Sequence, residues 1–370
     1  MSPLTEIILI ASVTAVACAL PGVFLVLRRV AMVSDAITHT VLLGIVLAFF
    51  VVRDITSPTL AIAAAAAGVA TVALIELLHR TERIREDAAI GLVFPFLFSI
   101  AVILIARHAG NVHLDVDAVL LGELAFAPLD RYTLGDVDLG PRALWLMSGI
   151  LLLSLLLLIL FYKELKLATF DAALAAALGF APAVLHYGLM SVVSLTAVGA
   201  FNAVGSVLVV ALMVAPPAAA YLLTDRLSHM LVLSAAFGVL AAISGCLAAF
   251  ALDASLAGAM AVVTGLIFGA AWVFAPERGL LAQALRHARQ RQEFAQAMLL
   301  VHLLHHEATP QEAVECDPSH LNEHLRWDAA FTAQTLRRAE QRGLLVRQKD
   351  LIVLTESGRR LAAQTLGGEG

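Results

Sequence analysis

Between Leu4 and Ala275 the chain is dominated by stretches of about twenty residues in which charged side chains are almost absent. They show neither the strict alternation of a half-buried strand nor the single apolar stripe of a surface helix; apolar residues occupy every face. A hydrocarbon layer about 30 Å thick is crossed by roughly 20 helical residues. By that ruler the pattern predicts spans at 5–27, 31–52, 58–78, 88–107, 143–162, 182–199, 201–223, 229–251 and 256–275. The run 182–223 is about two spans long, and Gly199, Asn202 and Gly205 offer a break in it. The first stretch is too long for a signal-peptide core and is read as a retained span.

Composition carries the same message. Of 370 residues, 60% are hydrophobic and 14% charged, with a mean hydropathy of +0.89. A soluble domain has about 45–50% apolar and about 25% charged residues, so lipid is the expected solvent. The three cysteines, Cys18, Cys246 and Cys316, form no pairing or CxxC pattern. The chain lacks a GxxxxGK[ST] phosphate loop, an HExxH motif and a GxSxG motif, which argues against ATP binding of that type and against hydrolysis within the membrane.

Charge gives the spans a direction. Arg28–Arg29, Arg80/Arg83/Arg85, Lys163/Lys166, Arg226 and Arg278 fall in alternate loops, which the positive-inside rule assigns to the cytoplasm. The N-terminus is then outside and the C-terminal end inside. The outer loop 108–142 carries Asp115, Asp117, Glu123, Asp130, Asp136 and Asp138 against Arg131 and Arg142. Such a mouth enriches cations, although acids also avoid the inner face for unrelated reasons. Its stretch AVLLGELAFA has the character of a re-entrant segment.

Ionisable groups inside spans are costly and usually line a pathway. Asp35 and His39 lie four apart in the second span and share a helix face. A carboxylate and an imidazole at that spacing suit a divalent transition metal, the imidazole disfavouring magnesium and calcium. A structural Asp–His hydrogen bond between helices is the alternative. Ser34 and Thr38 are possible accessory oxygens. Asn202 and Ser206 sit at the expected break, Pro216–Pro217 are expected to kink the following span, and Glu76, His79, His186 and Asp253 fall near span ends.

Five stretches resemble the permease subunits of bacterial ABC importers for manganese, zinc and iron: LRRVAMVSDAITHTVLLGIVLAF (27–49), RIREDAAIGLVFPFLFSIAVIL (83–104), NVHLDVDAVLLGEL (111–124), TFDAALAAALGF (169–180) and AVGSVLVVALMVAPPAAAYLLT (203–224). The resemblance implies a dimeric permease, either a homodimer or paired with a paralogue. It also implies separate ATPase subunits on the cytoplasmic face and an extracytoplasmic metal-binding protein. Asp35 and His39 match the family's membrane metal pair, so manganese, zinc or iron would be carried and no cofactor permanently held. Phe170, Asp171, Leu174, Ala175, Leu178 and Gly179 would form or flank the helix that couples to the ATPase. Leu43 stands where many relatives have proline, which makes the local helix more regular.

From Leu280 onward the composition changes: 11 Lys/Arg, 11 Asp/Glu and six of the 12 histidines lie there. Helices are expected at 282–306, 310–316, 318–324 and 328–342. Strands Leu344–Arg347 and Leu351–Leu354 follow, flanking the turn Gln348–Asp350, and Thr355 caps a last helix. The phrase LRRAEQRGLLVRQKDLIVLTESGRRLA resembles winged helix-turn-helix domains, including metal-responsive repressors related to the diphtheria toxin repressor. The tail is neutral by count, with only Arg337, Arg338 and Arg342 clustered. A DNA-binding domain is normally basic on one face, so a protein-interaction or metal-sensing role is favoured over DNA binding. His302 and His306, and again His320 and His324, have the i,i+4 spacing that chelates zinc or manganese, as well as that of a solvated helix face.

The expected fold is therefore an all-α polytopic membrane domain of about nine helices (1–279), followed by a small α+β winged-helix domain (280–370). The expected function is that of a multi-pass inner-membrane permease subunit without enzymatic activity. A membrane-anchored winged-helix regulator or a secondary cation transporter are the alternatives; nine spans and an intramembrane Asp–His pair are excessive for an anchor.

Overall fold

The computed structural model describes residues 2–53, 57–108, 124–134, 137–310, 312–317, 321, 325, 327–348 and 351–367. The chain divides into two compact units, Met1–Gly279 and Leu280–Gly370.

Among the described residues, the first unit has nine helices long and apolar enough to span a membrane. They are α1 (Pro3–Leu27), α2 (Met32–Val52), α3 (Pro58–His79), α4 (Glu86–His108), α5 (Arg142–Leu160), α8 (Pro182–Val204), α9 (Ser206–Leu223), α10 (Leu227–Leu252) and α11 (Leu256–Phe274). Between α4 and α5 a short hairpin pairs β1 (Arg131–Leu134) with β2 (Val137–Pro141). Two short helices, α6 (Tyr162–Phe170) and α7 (Ala172–Ala177), lead from α5 to α8. Most of the expected stretch 111–124 and of AVLLGELAFA, with Asp115, Asp117, Glu123 and Asp136, lies outside the described residues.

The most enclosed span is α1, with 72% of its apolar window buried. It packs against α5, α8, α9 and α10, while α2 packs against α3 and α4. In lipid the hydrophobic effect does not press helices together; close packing and interhelical hydrogen bonds do. Gly22 shows the first device: a Cβ there would lie 2.1 Å from the Met213 carbonyl oxygen of α9. Gly44 repeats it between α2 and α3, where a Cβ would come within 2.4 Å of the Ala63 carbonyl oxygen. The second device is the bond from Thr71 Oγ1 to Thr40 Oγ1, 2.8 Å, joining α3 to α2 in a buried setting. By contrast α4, α5 and α11 bury no more than 22% of their windows. Their outer faces expose Leu92, Phe96, Leu152, Ile159 and Leu266, as lipid-facing helices should.

The long 182–223 run breaks at Gly205 rather than at Gly199 or Asn202. Gly205 adopts φ 80°, ψ 163°, a region open essentially to glycine alone, so α8 runs on to Val204. Pro216 and Pro217 lie inside α9, which continues through them as one helix. The helix α2 is likewise unbroken at Leu43.

The second unit begins with α12 (Leu280–His306), followed by α13 (Glu312–Glu315) and α14 (Ala329–Gln341). An antiparallel ribbon then pairs β3 (Leu345–Gln348) with β4 (Leu351–Leu354), and α15 (Glu356–Gly367) follows. The core joins Leu299, Leu300 and Leu303 of α12 to Cys316, Leu336, Leu345, Ile352 and Ala362. Asp328 caps α14 by accepting from Ala330 N, and Thr355 Oγ1 accepts from Gly358 N at the start of α15. The expected helix 318–324, apart from Leu321, and the turn residues 349–350 lie outside the described residues.

Candidate functional site

Asp35 falls in the first turn of α2 and His39 one turn later. Peptide dipoles at a helix N-terminus favour a carboxylate, and Asp35 lies in that first turn. Asp35 Oδ1 and His39 Nε2 are 3.5 Å apart, and the two side chains keep 34% and 29% of their surface open. Two ligands bound at about 2.1 Å in a tetrahedral shell lie about 3.4 Å apart, a spacing that this pair matches. Two aromatic rings of α4 fix the imidazole. Phe94 stacks on His39 with centroids 5.5 Å apart, and Phe98 meets its edge at 6.0 Å.

Ser34 and Thr38 are buried and donate to carbonyls of their own helix turn: Ser34 Oγ to Ala31 O at 2.7 Å, Thr38 Oγ1 to Asp35 O at 2.8 Å. Their protons are committed to the backbone, which leaves the oxygen lone pairs as what either hydroxyl can offer an ion. Ser206, at the start of α9, has a buried hydroxyl with no hydrogen-bond partner among the described residues. Asn202 occupies the last turn of α8; its side chain lies outside what the structure describes.

The coupling candidates form a distinct local structure. Asp171 ends α6 and caps α7, its Oδ1 accepting from Leu174 N at 2.8 Å. The far end closes through two bonds, Gly179 N to Ala176 O and Phe180 N to Ala175 O. This is the paired-bond helix stop that needs a left-handed residue, and Gly179 supplies it with φ 88°. Ala175 is fully buried, whereas Phe170, Leu174 and Leu178 are 60%, 46% and 61% exposed. A six-residue helix is thus fixed at both ends and presents an apolar face outward.

A polar cluster that sequence reasoning missed ties this segment to the spans. Arg28, just beyond α1, donates to Thr169 Oγ1 at 3.2 Å and lies 3.1 Å from His186 Nδ1 of α8. Burial pulls the pKa of this guanidinium below its ordinary value. Tyr187, next to His186 in sequence, donates through Oη to Glu76 of α3, which also accepts from Arg80, each at 2.5 Å. The only signal available was the presence of Glu76 and His186 near span ends; separations of 111 and 141 residues cannot be read from spacing.

A different group secures the hairpin. Arg131 donates to both oxygens of Asp138, at 2.9 and 2.7 Å, and to Glu6 of α1 at 2.9 Å. The Arg131 bond, then the Gly140 N–H, hold the Asp138 carboxyl below its usual pKa; Asp138 first and Glu6 second raise that of Arg131.

In the second unit, His302 and His306 do face one another on α12, with ring centroids 4.8 Å apart. The expected partners His320 and His324 lie outside the described residues. Glu315 of α13 stands beside His302, its Oε2 3.7 Å from His302 Nε2.

Residues 2–275 match the ABC 3 transport family. Over 361 residues, 98% of each chain, the protein is 48% identical to a zinc transport system membrane protein, TroD, of Treponema pallidum (strain Nichols). It is 47% identical to a manganese transport system membrane protein, MntD, of Bacillus subtilis (strain 168), over 76% of this chain and 95% of that one. Among solved structures, PsaBC from Streptococcus pneumoniae in complex with Fab superposes with a TM-score of 0.63 at 27% identity, covering 75% of this chain and 94% of that one.

Proposed function

Because the chain belongs to the ABC 3 transport family, we propose that it is the membrane permease subunit of an ATP-driven importer of divalent transition metals, with Asp35 and His39 as its ion-holding pair. It is a transport subunit and not an enzyme; ATP hydrolysis belongs to a separate chain. The observation that carries the site assignment is an Asp–His pair 3.5 Å apart, about a third open, inside an apolar span. Zinc and manganese name the relatives above, and a chelated iron transport protein of Yersinia pestis is 29% identical over 78% of this chain. Carboxylate and imidazole suit all three metals.

The proposed mechanism follows from the local chemistry. A metal ion arriving from an extracytoplasmic binding protein exchanges part of its water for Asp35 and His39. Two ligands from one chain leave most of its coordination shell to water or to a second permease, so the ion remains exchangeable. Phe170, Leu174 and Leu178 supply the apolar face that docks on the ATPase. The Arg28 bonds to Thr169 and His186 would pass the movement of that segment to the end of α1, which four residues join to the start of α2. Alternating access of a permease dimer would then turn the pair from one side to the other.

Orientation follows from the basic residues. Arg28, Arg80, Lys163, Arg226 and Arg278 border alternate spans, and basic loops favour the cytoplasm. This puts the N-terminus outside and the tail inside. The tail is read as a winged-helix-like module: α14 as the second helix of a helix-turn-helix and β3–β4 as the wing. With Arg342 already donating to Gln296 Oε1 at 2.8 Å, the small basic cluster has less to offer a phosphate backbone, which favours protein interaction over DNA binding.

Reconstitution with the ATPase and the binding protein in sealed vesicles is the test. Uptake of manganese, zinc or iron that requires ATP inside the ATPase-accessible compartment supports the assignment. Uptake driven by an ion gradient with the ATPase omitted would replace it with a secondary transporter.

A further inference from the structure

Among the described residues, one group of three side chains of ligand type comes together, and it lies in the second unit. His302 and His306 stand one turn apart near the end of α12, and Glu315 is the last residue of α13. One ligand atom from each falls within 4.8 Å of the other two. His302 Nε2 is 3.7 Å from Glu315 Oε2 and 3.2 Å from the Glu315 carbonyl oxygen. Only 9% of the His302 side chain and 15% of the Glu315 side chain remain open to solvent.

We propose that His302, His306 and Glu315 form a second metal site, for a divalent transition metal of the zinc class. Nitrogen and oxygen ligands bound at about 2.0–2.2 Å sit roughly 3.3 Å apart around a tetrahedral ion. The three atoms need to close by about 1.5 Å at most to reach that spacing. Two imidazoles held this close repel if both are protonated, whereas a shared cation binds both in the neutral form. Two nitrogens and one carboxylate oxygen select against magnesium and calcium, which prefer all-oxygen shells. Three protein ligands leave one position for water or another donor.

The site also has a mechanical consequence within its unit. The Cys316 carbonyl, next to Glu315, accepts from Ile352 N of β4 at 3.2 Å, and both residues belong to the same core. An ion joining α12 to Glu315 therefore clamps α12, α13 and the ribbon together. The site stands independently of the Asp35–His39 assignment.

The test uses the full chain, purified in detergent, carrying Asp35→Ala and His39→Ala so that the membrane pair cannot contribute. Cobalt(II) serves as the probe, read by its visible d–d absorption and by equilibrium dialysis. One ion per chain is expected. His302→Gln and Glu315→Gln should each weaken binding by tenfold or more, while His305→Gln, an exposed neighbour on the same helix, should not. Cobalt should slow amide exchange in Leu345–Gln348 and Leu351–Leu354 of the parent and not of Glu315→Gln, with metal-free exchange alike in both. No bound cobalt, binding untouched by His302→Gln and Glu315→Gln, or an equal loss in His305→Gln overturns the proposal.

Discussion

Asp35 and His39 come from one turn of one helix, whereas His302 and His306 are joined by Glu315 from a second element beyond a turn. The membrane pair offers two ligands with about a third of each side chain open. The tail trio offers three, with His302 and Glu315 far more enclosed. The same two chemistries therefore suit different residence times. A cargo site must release its ion and is better left incomplete; a site that organises a fold is better closed. The surroundings differ as well: Phe94 and Phe98 steady His39, while a backbone bond from Ile352 of the ribbon to Cys316 steadies the segment that bears Glu315.

The sharpest way to break this comparison is to remove one ligand from each cluster. In the membrane pair the loss of either side chain leaves a single ligand, so Asp35→Ala is expected to bring metal uptake to the background of empty vesicles. In the tail two ligands survive a single loss, and binding should weaken rather than vanish. A dialysis measurement showing the opposite order would reverse the roles assigned here.

A smaller effect separates holding an ion from moving it. Leu174→Glu puts a charge on the exposed apolar face of α7 without disturbing the buried Ala175. Association with the ATPase should weaken about tenfold or more, as expected for an apolar anchor at an interface. ATP-driven uptake should fall with it, and metal binding to the solubilised chain should stay at the wild-type level.

Smaller again is the effect of Gly44→Val, which forces side-chain atoms against the Ala63 carbonyl where even a Cβ would lie at 2.4 Å. Overpacking of this kind costs about 1–3 kcal/mol. Thermal unfolding in detergent should report an earlier transition, while cobalt binding by the tail trio remains unchanged. The mildest change, Thr40→Val, removes the acceptor for Thr71 Oγ1. Interhelical hydrogen bonds in membranes average about 0.6 kcal/mol, so only a slight shift of the same transition is expected.

These differences also explain what could be read from the chain alone. Spans are legible because lipid demands long apolar helices with internally satisfied backbones, and their bounds needed shifts of only a few residues. The break at Gly205 was one of three options, decided by a backbone conformation closed to other residues. Asp35–His39 was legible because its geometry is a property of one helix. The cap residue Thr355 was legible for the same reason, since its partner lies three residues away. The Arg28–Thr169–His186 cluster and the approach of Glu315 to His302 depend on how separate elements pack. Spacing showed the His302–His306 pair, because an i,i+4 repeat is visible in a string, and a turn that delivers a carboxylate is not.

The central claim is that Asp35 and His39 hold the transported ion, and ATP-driven metal uptake by His39→Ala in vesicles carrying the ATPase and binding protein tests it most directly. The account predicts that the variant co-purifies with the ATPase in wild-type amounts and takes up no metal above background. Uptake at the wild-type rate and affinity would contradict it.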